Sequence, residues 1–156
     1  MELLNKLSPP GMGNKDPNHQ HKALLSANKP DVVRCFMECE KQIPYGLLRR
    51  ALERLSKNYD SFLHIKNSFI ANYALICCVT YILGIGDRHL ENFLIHMGSA
   101  SVVPIDFGFS FGASFELGVP ELMPFRLTKS FQELMDPIGE EGVFKKSMIS
   151  SFEAFS

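Results

Sequence analysis

The pattern of apolar and polar positions predicts a series of helices interrupted by one β-hairpin. After Pro44, apolar residues recur at the spacing of one helix face, at positions 47, 48, 51, 52 and 55. A short helix at about 61–69 then leads into a long apolar helix at about 67–83. Gly84 and Gly86 end that helix, because glycine accepts the left-handed backbone of a helix C-terminus.

The segments after this helix predict the hairpin and two more helices. "NFLIHM" and "SVVPID" are short β-type runs that flank Gly98 and Ser99, which is typical of a hairpin. A turn-rich stretch follows, and then helices at about 127–136 and 142–155. This order predicts an α+β fold that is mostly helical, with a central buried helix beside a β-hairpin.

The beginning of the chain lacks such periodicity. Residues 8–30 carry four of the nine prolines, which is typical of a linker or mobile loop. We therefore divide the chain into a linker or mobile segment at 1–31 and one domain at 32–156. With 156 residues in all, the chain is long enough to bury a single core.

Composition narrows the class of protein. Hydrophobic residues make up 46% and the formal net charge is −1, so nothing indicates a nucleic-acid or anionic-membrane surface. The four cysteines include the adjacent pair Cys77 and Cys78, and the first residues do not form a secretory signal, which together favour an intracellular protein. Asn72 and Thr80 interrupt the apolar run, which therefore indicates a buried helix, and we expect no membrane partner.

The loop between the long helix and the hairpin, residues 84–92, concentrates chemically active side chains. Asp87, Arg88, His89 and Asn92 lie within six residues, and Asp106 follows Asn92 by fourteen residues at the far end of the hairpin. A hairpin brings its two ends together. Phosphoryl transfer needs this arrangement, because a carboxylate must orient a hydroxyl beside oxygen ligands for Mg²⁺.

The spacing matches a known kinase pattern. Protein kinases separate the base aspartate from the metal-binding asparagine by five residues and place D-F-G after a hairpin. Asp87 and Asn92 are five residues apart, and residues 106–108 read D-F-G. The order inside the loop is D-R-H, however, where ordinary protein kinases have H-R-D.

This "GDRHxxN…IDFG" arrangement resembles the phosphatidylinositol-3-kinase-related family of lipid and protein kinases. The similarity covers about residues 32–155 and includes the stretches "IPYGLLRRAL", "ALICCVTYILGIGDRHLENFLI" and "VPELMPFRLTKSF". It implies the C-terminal lobe of a PI3/PI4-kinase-type domain that uses ATP and Mg²⁺. Within the family, it implies a serine/threonine protein kinase that phosphorylates Ser/Thr-Gln sites in double-strand break repair by non-homologous end joining.

The resemblance also implies roles for individual residues. Asp87 would orient the substrate hydroxyl and accept its proton, and His89 would hydrogen-bond the transferring phosphoryl group. Asn92 and Asp106 would hold Mg²⁺ against the ATP phosphates. Gly108 would let the backbone turn from the metal site into the activation segment, which we define as residues 106–124. Beyond this chain, the resemblance implies a large kinase chain, DNA ends and the Ku heterodimer as partners, and a nuclear location.

Some features depart from the family pattern or have no chemical role. Phe109 stands where histidine is expected after D-F-G, which affects local packing more than chemistry. A glycine-rich loop and a phosphate-binding strand lysine are missing, since "GMGN" at 11–14 lacks the flanking strand and helix. We therefore expect a C-lobe without its N-lobe, inactive as an isolated fragment. Arg88 should pair with a carboxylate or carbonyl, and Glu91 should face solvent.

Two alternatives remain open: a phosphoinositide lipid kinase lobe and a non-catalytic kinase-like interaction module. The activation segment contains no Lys or Arg and includes Glu116 and Glu121. A lipid kinase that binds an inositol phosphate is expected to use basic residues there, so the segment favours a peptide hydroxyl. A non-catalytic module is expected to have lost one of its catalytic residues, and this sequence keeps all four: Asp87, His89, Asn92 and Asp106.

Overall fold

The computed structural model describes residues 29–116, 123 and 125–156. In chain order, the helices and strands are α1 (Lys29–Lys41), α2 (Leu47–Leu55), α3 (Tyr59–Ile82), β1 (Phe93–Ile95), β2 (Val102–Pro104), α4 (Lys129–Met135) and α5 (Val143–Phe155). Three short 3₁₀ turns lie at Leu90–Asn92, Ala113–Glu116 and Gly139–Glu141. The linker predicted at 1–31 falls almost entirely outside the described residues.

The chain divides into two compact units, Met1–Pro44 and Tyr45–Ser156. Helix α1 is the described helix of the first unit. All the other helices and both strands belong to the second unit, which also contains every residue of the predicted active site.

Helix α3 is the centre of the second unit. Asn58 begins it, because its side chain accepts a hydrogen bond from the Ser61 amide at 2.8 Å. The helix then runs for 24 residues. The prediction of a short helix before a separate long one was wrong, because the mostly polar residues at 64–68 do not break a helix and the span contains neither Gly nor Pro.

The predicted burial of α3 is confirmed. Nine of its residues are buried, and they include Phe69, Tyr73 and Cys77. Among the described residues, α3 is also the one helix long and apolar enough to cross a membrane. Its place in the core accounts for this apolar composition.

Aromatic packing joins α3 to α4. The rings of Tyr73 and Phe131 lie 4.4 Å apart between centroids, and Phe69 packs on Phe131 at 5.8 Å. Burying each phenylalanine contributes about 1.5–3 kcal/mol. Since α4 and α5 occupy the two predicted C-terminal helical segments, those predictions are confirmed.

The hairpin is anchored on the same helix. Strands β1 and β2 pair antiparallel, with Leu94 opposite Val103, which confirms the predicted hairpin. The Val102 amide donates to Asn72 Oδ1 on α3 at 2.6 Å. At the base of the hairpin, the Ile105 amide donates to the Asn92 carbonyl at 3.0 Å. This last bond places the residues that precede β1 beside those that follow β2. The described part of the chain is therefore mostly helical with one two-stranded sheet, as predicted.

Candidate active site

Backbone pairing holds the beginning of loop 84–92 against the segment that follows D-F-G. Gly84 ends α3 with a φ of 56°, and its carbonyl accepts from the Gly112 amide at 2.9 Å. The Gly86 amide donates to the Phe109 carbonyl at 2.8 Å. Because Phe109 contributes a backbone group here, the departure from the expected histidine does not change this contact. The two segments therefore lie side by side through their backbones.

Two aspartates of the predicted site have unusual backbone conformations. Asp87 and Asp106 each have a φ of 56°. This left-handed region is uncommon for residues other than glycine, although aspartate is among those that enter it most readily. The Asp87 carbonyl accepts from Asn92 Nδ2 at 2.8 Å, and Asp106 Oδ1 accepts from the Gly108 amide at 3.2 Å. Local hydrogen bonds thus support both conformations.

Arg88 connects the two aspartate segments. Its side chain is buried, with the residue only 2% exposed. Nε donates to the Gly86 carbonyl at 2.8 Å, Nη1 donates to the Ile105 carbonyl at 2.9 Å, and Nη2 donates to the Asp106 carbonyl. The guanidinium also lies 5.6 Å from the ring centroid of Phe107. The structural role predicted for Arg88 is confirmed, and its partners are backbone carbonyls.

The remaining side chains of the loop have distinct environments. His89 Nε2 lies 4.0 Å from Asp87 Oδ1, and the His89 side chain is 44% exposed. Asn92 is buried, and its Nδ2 is committed to the Asp87 carbonyl, which leaves Oδ1 as the acceptor atom. Glu91 is exposed to solvent, as predicted. Asp87, His89 and Asn92 therefore form one local cluster.

Asp106 joins this cluster through the backbone. The Ile105 amide bonds the Asn92 carbonyl, and the Arg88 side chain binds the carbonyls of both Ile105 and Asp106. Asp106, which is exposed, therefore follows directly after the residue that pairs with Asn92, namely Ile105. The structure brings the predicted site residues to the base of the hairpin, where Gly108 bonds the Asp106 carboxylate.

The available donor atoms fit magnesium. Asn92 offers an amide oxygen and Asp106 offers a carboxylate, and Mg²⁺ prefers hard oxygen ligands. Among the described residues, no group of three or more His, Cys, Asp and Glu side chains is arranged to hold a metal ion. Two protein oxygens suit a magnesium ion that takes its other ligands from water and nucleotide phosphates.

The contact between Arg126 and Arg88 has no motif in the sequence that predicts it. Arg126 Nε donates to the Arg88 carbonyl at 2.7 Å. The two residues are far apart in the sequence, and no motif spacing relates them. The glycines at 84 and 112 were a usable signal for the backbone pairing, but no comparable signal pointed to Arg126.

Comparisons with known proteins address the family of the chain. The sequence profile of the family "Phosphatidylinositol 3- and 4-kinase" matches residues 2–156. The DNA-dependent protein kinase catalytic subunit of Mus musculus is 44% identical over 130 residues, which cover 83% of this chain and 3% of that protein. The same protein of Gallus gallus is 39% identical over 155 residues, covering 99% of this chain and 4% of that protein.

More distant relatives and solved structures extend the comparison. The serine/threonine-protein kinase MEC1 of Eremothecium gossypii is 38% identical over 112 residues, covering 72% of this chain and 5% of that protein. A solved structure of the FAT and kinase domain of CtTel1 matches with a TM-score of 0.78 at 25% identity, covering 91% of this chain and 10% of that chain. This chain spans only 3 to 5% of the length of these curated relatives. By the family profile, which matches nearly all of its residues, the chain belongs to the phosphatidylinositol 3- and 4-kinase family.

Proposed function

We propose that this chain forms the C-terminal catalytic lobe of an ATP-dependent serine/threonine protein kinase of the DNA-dependent protein kinase type. The observation that carries the proposal is the arrangement at the base of the hairpin. Asp87 is bonded through its carbonyl to Asn92, and Arg88 ties the same loop to the carbonyl of Asp106. A base, a metal-binding amide and a metal-binding carboxylate are the groups that phosphoryl transfer requires.

Each residue has a defined task in this proposal. Asp87 orients the substrate hydroxyl and accepts its proton, while His89 donates a hydrogen bond to the transferring phosphoryl group. Asn92 and Asp106 hold the magnesium ion, which, when bound with ATP, neutralises the charge on the phosphates. Gly108 supports Asp106, because its amide bonds Oδ1 and directs the carboxylate. Arg88 keeps the two segments at a constant separation.

A peptide hydroxyl is the substrate class that we favour. The activation segment, residues 106–124, contains no Lys or Arg that could bind an inositol phosphate. The relatives named as serine/threonine kinases support the same choice. We further propose Ser/Thr-Gln as the target site. A phosphoinositide lipid kinase remains the second candidate, because the family name includes phosphatidylinositol kinases.

The wider role follows from the similarity to the DNA-dependent protein kinase catalytic subunit. We propose that the longer kinase chain acts in the nucleus, in double-strand break repair by non-homologous end joining. DNA ends and the Ku heterodimer would bind elsewhere in that longer chain. The role of these 156 residues in this proposal is the chemical step.

The test is labelled-phosphate transfer by the full-length kinase to a Ser-Gln peptide, with phosphatidylinositol vesicles as the competing substrate. Asp87→Ala and Asp106→Ala should each nearly abolish transfer, by on the order of 10³-fold or more. Asp106→Ala should also weaken Mg·ATP binding, whereas Asp87→Ala should leave it largely unchanged. Glu91→Ala is the matched control in the same loop and should keep normal turnover.

Two results would contradict the proposal, and a third would contradict the expectation that the isolated fragment is inactive. Normal turnover of the Asp87→Ala kinase would remove the base from the mechanism. Transfer to the vesicles and not to the peptide would make the protein a lipid kinase. Robust transfer by the isolated 156-residue chain would show that the glycine-rich loop and phosphate-binding lysine are not needed.

A further inference from the structure

Two successive peptide groups join Asp87 to His89, and the carbonyl of each accepts a hydrogen bond from a side chain. The first is the peptide after Asp87, whose carbonyl accepts from Asn92 Nδ2 at 2.8 Å. The second is the peptide after Arg88, whose carbonyl accepts from Arg126 Nε at 2.7 Å. The orientation of the second peptide sets the direction in which the chain enters His89. Its only side-chain donor in the described part of the chain is Arg126.

The Arg88 side chain cannot replace this donor. Its Nε, Nη1 and Nη2 atoms already donate to the carbonyls of Gly86, Ile105 and Asp106. Arg88 is buried, whereas Arg126 is exposed and the bond between them is only partly buried. If the Arg126 donor is removed, water can bond to this carbonyl, but a mobile water does not hold the peptide in one orientation as an anchored side chain does.

Arg126 is itself held by the core. The Tyr73 hydroxyl donates to the Arg126 carbonyl. Tyr73 lies on α3, is only 1% exposed and packs against Phe131 of α4. Burial raises the pKa of Tyr73, so the hydroxyl stays protonated and remains a donor. Arg126 lies two residues after the activation segment in the sequence, and this contact fixes the chain at residue 126 to the central helix.

We propose that Arg126 is a positioning residue for phosphoryl transfer, whose Nε–H holds the Arg88–His89 peptide and thereby orients His89 beside Asp87. The inference rests on the proposed function, because it assigns Arg126 to the same site. It also makes residue 126, just beyond the activation segment, a mechanical support of the catalytic loop. A change in the position of residue 126 would be transmitted to His89 through one hydrogen bond.

A charge-matched pair of substitutions in the full-length kinase tests this. Arg126→Gln removes the charge but keeps an N–H donor, since Gln Nε2 is the same number of bonds from Cα as Arg Nε. Arg126→Met removes the charge and the donor while keeping the length. Arg50→Met is the control, because Arg50 is exposed on α2 and remote in sequence from the loop, and its side chain makes no hydrogen bond or ion pair within the described residues.

The expected result separates turnover from binding. Arg126→Met should lower kcat by about 10-fold to 100-fold, the range that small misplacements of reacting groups produce. Its KM for Mg·ATP should stay within about twofold, because the Arg126 bonds found within the described residues involve Arg88 and Tyr73 and not the proposed metal ligands Asn92 and Asp106. Arg126→Gln should recover kcat to within about threefold of the parent enzyme, and Arg50→Met should match the parent.

Equal loss in Arg126→Gln and Arg126→Met would overturn the inference, because charge or a substrate contact would then be the cause. Normal kcat in Arg126→Met would overturn it as well. If Arg126→Met does not yield folded enzyme, Tyr73→Phe replaces it, since this change keeps the ring but releases the Arg126 backbone. Lower kcat at unchanged KM in Tyr73→Phe would support the inference, and normal kcat would overturn it.

Asp87→Ala in the same series keeps this result distinct from the proposed function. Loss of transfer in Asp87→Ala with normal kcat in Arg126→Met would contradict only the role of Arg126. Normal transfer in Asp87→Ala would contradict the proposed function itself.

Discussion

Gly84→Ala should open the backbone pairing that holds loop 84–92 against the segment after D-F-G. Gly84 has a φ of 56°, and a Cβ built on it would lie 2.8 Å from the Gly112 amide nitrogen. One atom of that contact is a backbone nitrogen and the other is a Cβ bonded directly to the backbone, so neither can rotate away. The segment around Gly112 must therefore move.

The size of the effect follows from two contributions. An alanine in the left-handed region costs about 1–2 kcal/mol. Displacing the segment also loses the bonds from the Phe111 amide to the Leu83 carbonyl and from the Gly112 amide to the Gly84 carbonyl, both 2.9 Å long. These contribute about 1 kcal/mol each, so the displacement adds about 2 kcal/mol. The local opening free energy should fall by about 3–4 kcal/mol in all.

Hydrogen exchange measured by mass spectrometry on the full-length kinase can detect this change. The relevant peptides cover residues 109–115, which include the Phe111 and Gly112 amides. A fall of about 3–4 kcal/mol corresponds to exchange faster by more than about 10²-fold, since about 1.4 kcal/mol is a factor of ten. Kinase turnover should fall in parallel, because the same pairing lies next to Asp87 and Asp106.

Gly139→Ala is the matched control. Gly139 has a φ of 71°, but a Cβ built on it meets nothing within 4 Å. It therefore carries the conformational penalty without the collision, and exchange in the 109–115 peptides should be unchanged. Unchanged exchange of those peptides in Gly84→Ala would refute the reasoning that close backbone approach requires glycine at 84.

Three further predictions concern the core and the helix ends. Burial raises the pKa of Cys77 from 9.0 to about 12. At pH 8 the folded protein should therefore hold roughly 10³-fold less Cys77 thiolate than the unfolded chain, and iodoacetamide labelling followed by mass spectrometry should show at least that slowing. Asn58→Ala should lower the stability of the first turn of α3 by about 1 kcal/mol, seen as faster amide exchange there, while Asn58→Asp should not. Glu133→Leu should lower the free energy of unfolding, measured by thermal denaturation, by about 1–3 kcal/mol. The reason is that the Gly46 amide, which now donates to the buried Glu133 carboxylate at 2.8 Å, would lose its acceptor. Glu133→Gln should lower it by less.

Local patterns in the sequence determined much of the fold. The helical spacing after Pro44 and the β-type runs on either side of Gly98 needed no distant information, because periodicity is a property of neighbouring residues. The same patterns indicated which part of α3 is buried. They predicted a separate short helix at about 61–69, although one continuous helix runs from Tyr59 to Ile82.

The spacing of the motif residues predicted which residues form the candidate site, but it did not predict the geometry of that site. Because a short hairpin returns to its starting point, the distance along the chain between Asn92 and Asp106 implied that they lie near each other. The roles of Asp87, His89 and Gly108 came from family resemblance and stay predictions until they are measured. Sequence spacing cannot supply distances between side chains.

The tertiary structure alone decided how the site is supported. Arg88 was expected to pair with some carboxylate or carbonyl, but its choice of three backbone carbonyls depends on where loop 84–92 meets residues 105–106. The approach of Gly84 to Gly112 and the bond from Arg126 to Arg88 join residues that are distant in the sequence. Such contacts arise from the packing of the whole core around α3, and no local pattern encodes which long side chain will reach which buried carbonyl.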